Sequence, residues 1–183
     1  GCTHISAYLL KVEPGTAFYR NPPAGLPDGD AAADFYLYAV QQLEAAGYRQ
    51  YEISNFARPG HEGRHNLLYW NCSDYWGVGP AAHSCVGNVR RFWPDDVQGF
   101  IAGTVAEQRE GDCTSEDYLL MQLRLVSGLN IPAYECRGGR FTAAQRVFMR
   151  QCVGHGYAVW DGEVFRLTPA GMVVQNAILA ELM

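Results

Sequence analysis

The chain has 183 residues, of which 48% are apolar, 13% aromatic and only 18% charged; 14 basic against 19 acidic side chains give a net charge of −5. That length can bury roughly 70% of the unfolded surface, so neither metal nor disulfide is needed merely to fold. The composition excludes a disordered chain, a coiled coil or a fibre. The acidic balance argues against a general nucleic-acid binder, whose phosphate affinity comes from excess Lys and Arg.

No apolar run approaches the ~20 residues of a membrane span, and Gly1-Cys2-Thr3-His4 does not open a secretory signal. The chain starts inside a strand-like pattern, so it reads as a piece of something longer. The cysteines Cys2, Cys72, Cys85, Cys113, Cys136 and Cys152 show no C-x-x-C spacing. A zinc site or cluster built from local pairs is therefore not expected, and the thiols are read as reduced, cytosolic and mostly buried.

His4 to Val12 is apolar on both faces, as in a strand of a covered parallel sheet. Glu13 to Asp30, rich in Pro and Gly, is a long loop. Asp30 is placed to cap a helix over 31–46, with Phe35, Tyr38, Ala39, Leu43 and Ala46 on one stripe and Gly47 ending it. Tyr48 to Phe56 reads as a second strand, which completes a right-handed βαβ unit with parallel strands. Glu13 would then stand at the carboxyl end of a parallel strand, where ligands gather. Within the second strand, Glu52 is a carboxylate among apolar neighbours, costly unless it is salt-bridged or faces a cavity.

Past Pro59-Gly60, residues 61–74 are short, polar and aromatic with no clear period, and read as a loop with polar anchors. His61 and His65 have the spacing of a metal pair on a helix, but a helix is not expected to start much before Pro59-Gly60 and H-E-x-x-H is absent. His65 offers an imidazole for haem iron or a substrate hydrogen bond. Tyr69 and Trp70 offer flat faces for stacking. Gly77 and Gly79, in a run that lacks the third glycine of a nucleotide loop, would let backbone approach a ligand. A strand is expected over 75–86, a short one over 90–93 and a short helix over 94–102 begun by Pro94.

Beyond Gly111 the pattern changes. Thr114 and Asp117 form a capping-box pattern for a helix to Val126. Thr142 caps another helix to about Cys152. Two β runs flank Asp161-Gly162 as a type I′ hairpin, and Thr168-Pro169 starts a last helix. Helices followed by a small hairpin suggest a winged-helix-like module. Its scattered arginines form no dense basic run, so DNA binding is not the expected role.

Three strings carry a family resemblance. The first is His4-Ile-Ser-Ala-Tyr8 with Glu13-Pro-Gly-Thr16. The second runs from Gly47-Tyr48 through Gln50-Tyr51-Glu52-Ile53-Ser54-Asn55-Phe56-Ala57 to Pro59-Gly60. The third is Arg64-His65-Asn66-x-x-Tyr69-Trp70, followed by Tyr75-x-Gly77-x-Gly79-x-x-Ala82-His83-Ser84. With weaker matches at Tyr118-x-x-Met121-x-Leu123-Arg124-Leu125-x-x-Gly128 and Leu167-Thr168-x-x-Gly171, the chain resembles the C-terminal portion of the HemN/HemW family. These are oxygen-independent coproporphyrinogen III oxidase-like radical SAM proteins.

The resemblance implies an α/β chain, α+β overall. Residues 1–110 would be the C-terminal part of an open (β/α) barrel and 111–183 a winged-helix-like domain. His65-Asn66-x-x-Tyr69-Trp70 matches the HemW-type branch, regarded as haem chaperones, and favours haem handling over porphyrinogen oxidation. His65, Asn66, Tyr69 and Trp70 become haem-contacting candidates, with His65 as iron ligand and Arg90 or Arg91 on a propionate. Lys11, Glu52 and Ile53 would line the S-adenosylmethionine site of the parent. The C-x-x-x-C-x-x-C that holds the family's [4Fe–4S] cluster is absent, so this stretch should not cleave S-adenosylmethionine. A cytoplasmic location, haem-accepting partner proteins and self-association through an uncovered strand edge near Ser6–Val12 complete the expectation.

Overall fold

A computed structural model describes residues 1–183. Helices and short strands alternate in an α+β architecture built around three small three-stranded sheets, and every paired strand is antiparallel.

The first sheet has the order β1-β3-β2, with β1 His4–Ser6, β2 Arg49–Glu52 and β3 Asn55–Ala57. The expected single strand over 48–56 is thus a hairpin. Glu52 causes the reversal: one carboxylate oxygen accepts the backbone N–H of Ser54 at 3.0 Å and the amide of Asn55, folding the chain back at Ile53-Ser54. Because β3 sits between β1 and β2, the parallel pairing expected of them is not made, and Glu13 does not end a parallel strand. β1 spans three residues, after which Tyr8, Leu9 and Leu10 are exposed.

The loop that follows holds one helical turn, α1 (Ala17–Arg20), capped by Thr16. Asp28, not Asp30, caps α2 (Gly29–Ala45) through Ala31 N–H. The buried stripe of α2 is also one position off: Tyr36 and Val40 are inside, whereas Phe35 and Tyr38 are exposed. Tyr36 is drawn in because its hydroxyl finds partners there, the Gln50 amide at 2.6 Å and the Met172 sulfur at 3.4 Å.

Residues 64–70 are a helix, α3 (Arg64–Trp70), where a loop was expected. Gly63 starts it; a Cβ at this position would press on the Tyr51 hydroxyl. The second sheet, β4-β5-β6, joins β4 (His83–Val86), β5 (Val89–Phe92) and β6 (Gln108–Asp112). Gly87 and Asn88, both at positive φ (58° and 66°), make the tight β4–β5 turn. Asp96 caps α4 (Val97–Ala102), so Pro94 lies outside the helix it was expected to begin. Gly77 serves the chain itself: a Cβ there would overlap the His83 backbone.

From Thr114 onward the sequence is followed closely. Thr114 and Asp117 close the capping box of α5 (Ser115–Gln122), and Thr142 with Gln145 that of α7 (Ala143–Gly154). Between them lie β7 (Leu129–Asn130) and α6 (Ile131–Cys136). The wing is β8 (Ala158–Trp160) and β9 (Val164–Leu167), with β9 central in the order β7-β9-β8. Its turn is not type I′, since only Gly162 has positive φ (102°). The Asp161 carboxylate shapes it instead by accepting the N–H groups of Glu163 and Val164. Thr168 caps α8 (Pro169–Val173), and α9 (Gln175–Leu182) continues after a break at Val174. The order from Thr114 is helix, strand, two helices, hairpin and two helices. One apolar core runs through the molecule, joining Tyr36, Val40 and Phe56 to Leu119, Leu129, Phe165 and Leu179.

All six cysteines are free: Cys85, Cys113 and Cys152 are buried, Cys72 half-buried, Cys2 and Cys136 exposed. Burial, reinforced by the neighbouring Cys113 thiol, pushes the Cys72 thiol up to about 12, where it is inert. No helix is long and apolar enough to cross a membrane.

Candidate functional site

Helix α3 displays the candidate residues on different faces. His65 and Tyr69, one turn apart, share a face, and His65 Nε2 lies 2.6 Å from the Tyr69 hydroxyl. His65 is exposed. The contact holds the ring in place, and in the tautomer that carries its proton on Nε2 the Nδ1 lone pair is left for a metal. Tyr69 is braced edge-on by Tyr75, with ring centroids 4.4 Å apart. Tyr75 is in turn tied by backbone hydrogen bonds of 2.8 and 3.0 Å to Cys85 on β4. His61 lies before α3, so the two histidines share no helix. No three His, Cys, Asp or Glu side chains converge as a metal site.

Asn66 and Trp70 turn inward. Asn66 and the Gly63 backbone hold the Tyr51 hydroxyl; burial outweighs these bonds and raises the phenol above its ordinary value. His4 Nε2 meets the same hydroxyl at 2.9 Å, linking α3 to β1. Trp70 sits about 100° around the helix from Tyr69. The Arg124 guanidinium covers its ring at 4.5 Å, and the Gln122 amide caps its carbonyl at 2.8 Å. Tyr69 and Trp70 therefore do not form one stacking platform.

The two arginines expected on a propionate already have partners. Arg90 donates to Asp117 at 2.9 Å with Glu110 at 3.8 Å, and Arg91 lies 4.0 Å from Glu107. Burial alone would raise Asp117, but the Thr114 backbone and hydroxyl together with Arg90 hold it below the usual carboxylate range. These contacts fasten β5 to the start of α5.

Lys11 and Ile53 meet in a cleft of about 380 Å³. One side is the segment 7–11 with Ile53 and Ser54; the other is Arg124, Met172, Val173 and Gln175. Lys11 is paired with Glu13 at 2.9 Å on the rim. Glu52 lies behind the cleft, fully buried, with one oxygen engaged in the β2–β3 turn and the other without a partner. Of the two fates open to it, it takes neither: it has no salt bridge and does not line the cleft. Arg124 and Gln175 are missed by the sequence reading as site residues. The available signal was an arginine flanked by two leucines, Leu123-Arg124-Leu125.

No protein-family model matches the chain. The chain is 35% identical over 195 residues to the haem chaperone HemW of Mycobacterium tuberculosis, and 33% identical over 184 residues to that of Escherichia coli. These alignments take in 100% and 96% of this chain and 48% of each relative. HemW of Bacillus subtilis is 44% identical over 101 residues, 54% of this chain. In structure, the chain resembles the radical SAM enzyme coproporphyrinogen III oxidase (HemN) of Escherichia coli, with TM-score 0.61, 19% identity, and 87% of this chain and 42% of that one covered. The chain belongs to the HemN/HemW family and matches its C-terminal portion. It spans about half the length of the curated relatives it matches.

Proposed function

We propose that this chain is the haem-handling portion of a HemW-type haem chaperone, a cytoplasmic protein that passes haem to acceptor proteins. The observation that carries the reading is the exposed His65, its ring fixed by Tyr69 on a helix whose sequence is the H-N-x-x-Y-W of that branch. His65 would hold the iron, with the braced Tyr69 positioning it. The full sequence identities to HemW proteins support this assignment.

The radical SAM parentage suggests a [4Fe–4S] cluster with S-adenosylmethionine in the whole protein. The cysteines here do not fit the cluster, because no three of them converge. Lys11 and Ile53 remain candidates for lining the S-adenosylmethionine side of the cleft.

Titrating the chain with haem tests the reading. A saturable Soret shift is expected, and His65→Ala should abolish or strongly displace it. Identical spectra for the two proteins would overturn the assignment. A second reading, oxidative decarboxylation of coproporphyrinogen III, draws on the fold likeness to HemN. Carbon dioxide release by the cluster-loaded whole protein would select it.

A further inference from the structure

We infer that the groove between α7 and α9 is a binding site for a small primary ammonium carried on an apolar body, with Glu181 as the group that receives the charge. The groove encloses about 410 Å³ and shares no lining residue with the cleft of Lys11 and Ile53. One wall is Phe148 and Cys152 of α7 with His155 at its end; the other is Val174 followed by Ala177, Ile178 and Glu181 of α9. At this helical spacing the groove runs for about two turns, roughly 10 Å. Cys152 and Ile178 are buried, and Phe148 and Val174 half-buried. The hollow exists because Cys152 and Ala177, in the middle of the two walls, carry small side chains.

Both ends are fastened, so the groove is formed before any ligand arrives. At one end the Gln145 amide donates to the Leu182 carbonyl at 2.9 Å and ties α7 to α9. At the other, Tyr157 donates its N–H to the Cys152 carbonyl at 2.9 Å and accepts the Thr168 N–H at 3.0 Å. Gly171 lies against the Tyr157 carbonyl so closely that a Cβ would overlap it. A preformed apolar hollow of this size suits a small molecule. No lysine or arginine lines it, so a phosphate, sulfate or carboxylate would find no cation there. Glu181 is its one carboxylate, exposed on the rim and in no ion pair. An ammonium beside Glu181 keeps its other protons in water while its body replaces water over Ile178 and Cys152. Burial of the body supplies most of the affinity, and the exposed pair selects the sign of the charge. None of these residues belongs to α3, so the site stands apart from the haem reading.

The probe is 3-phenylpropylamine at neutral pH, followed by the methyl resonances of Val174, Ala177 and Ile178. The controls are 3-phenylpropanol and 3-phenylpropanoate, which keep the body and change the charge. Saturable shifts are expected with the amine, binding about two- to fivefold weaker with the alcohol, and weaker still with the acid. Glu181→Gln should bring the amine down to the level of the alcohol. Ala177→Leu, which fills the hollow from an exposed position, should weaken the amine and the alcohol alike by about tenfold or more. No shift at the three methyls with the amine would overturn the inference, as would equal affinity for all three probes. Amine binding untouched by both variants would place it elsewhere and also overturn it. Should Ala177→Leu fail to fold, Glu181→Gln decides, since Glu181 is exposed and its replacement leaves the core intact.

Discussion

The two halves of the chain solve the same folding problem unequally. Of the nineteen clustered core residues, sixteen come from Tyr118 onward and only Tyr36, Val40 and Phe56 from the first half. The first half also exposes Tyr8, Leu10, Phe35, Tyr38 and Trp76. The second half closes two of its helices with complete capping boxes, whereas β1 is three residues long and lies at a sheet edge. Stability concentrates where burial and capping coincide, and the candidate site lies on the seam between the halves, where α3 meets Gln122 and Arg124.

The largest expected effect contrasts two phenylalanines. Phe165→Ala, at a fully buried position, should cost about 3–5 kcal/mol, while Phe35→Ala, 61% exposed, should stay within about 0.5 kcal/mol. Urea denaturation measures both, and similar losses would break the asymmetry. Next, amides of β9 should exchange with deuterium orders of magnitude more slowly than those of β1, since the central strand opens only with the core.

A smaller effect separates two threonine caps. Thr142→Ala should destabilise by about 1 kcal/mol, but Thr16→Ala, capping the single exposed turn of α1, should leave the thermal midpoint unchanged. The smallest effect is a pH dependence at the seam. Asp117 is held below the usual carboxylate range, so its contribution is complete above its unfolded value near ~3.9 and disappears as pH falls through the lower folded value. Asp117→Asn should flatten that acid limb of the stability curve; an unchanged limb would show that Arg90 and Thr114 do not couple the halves.

Legibility followed the same divide. Capping boxes and the wing were readable because Thr114, Asp117, Thr142 and Thr168 act on backbone within one helical turn. The turn type at Asp161-Gly162 was not, because a side-chain oxygen replaced the backbone conformation that the dipeptide usually signals. In the first half, β-formers at 48–56 suggested one strand, but Glu52 bonded forward to Ser54 and Asn55 and turned it into two. The α2 stripe slipped because Tyr36 satisfied its hydroxyl on Gln50 and Met172, the latter 136 residues away.

The candidate site shows the same limit. His65 and Tyr69 are a local pair whose spacing on a helix decides their contact. Arg124 over Trp70, and Gln175 across the cleft from Ile53, join residues remote in sequence. The sequence by itself determined the caps, the hairpin at 158–167 and the family strings, because each depends on neighbours along the chain. Only the tertiary structure decided which carboxylates would occupy Arg90 and Arg91 and which would leave Arg124 free, since long side chains choose partners by proximity in space.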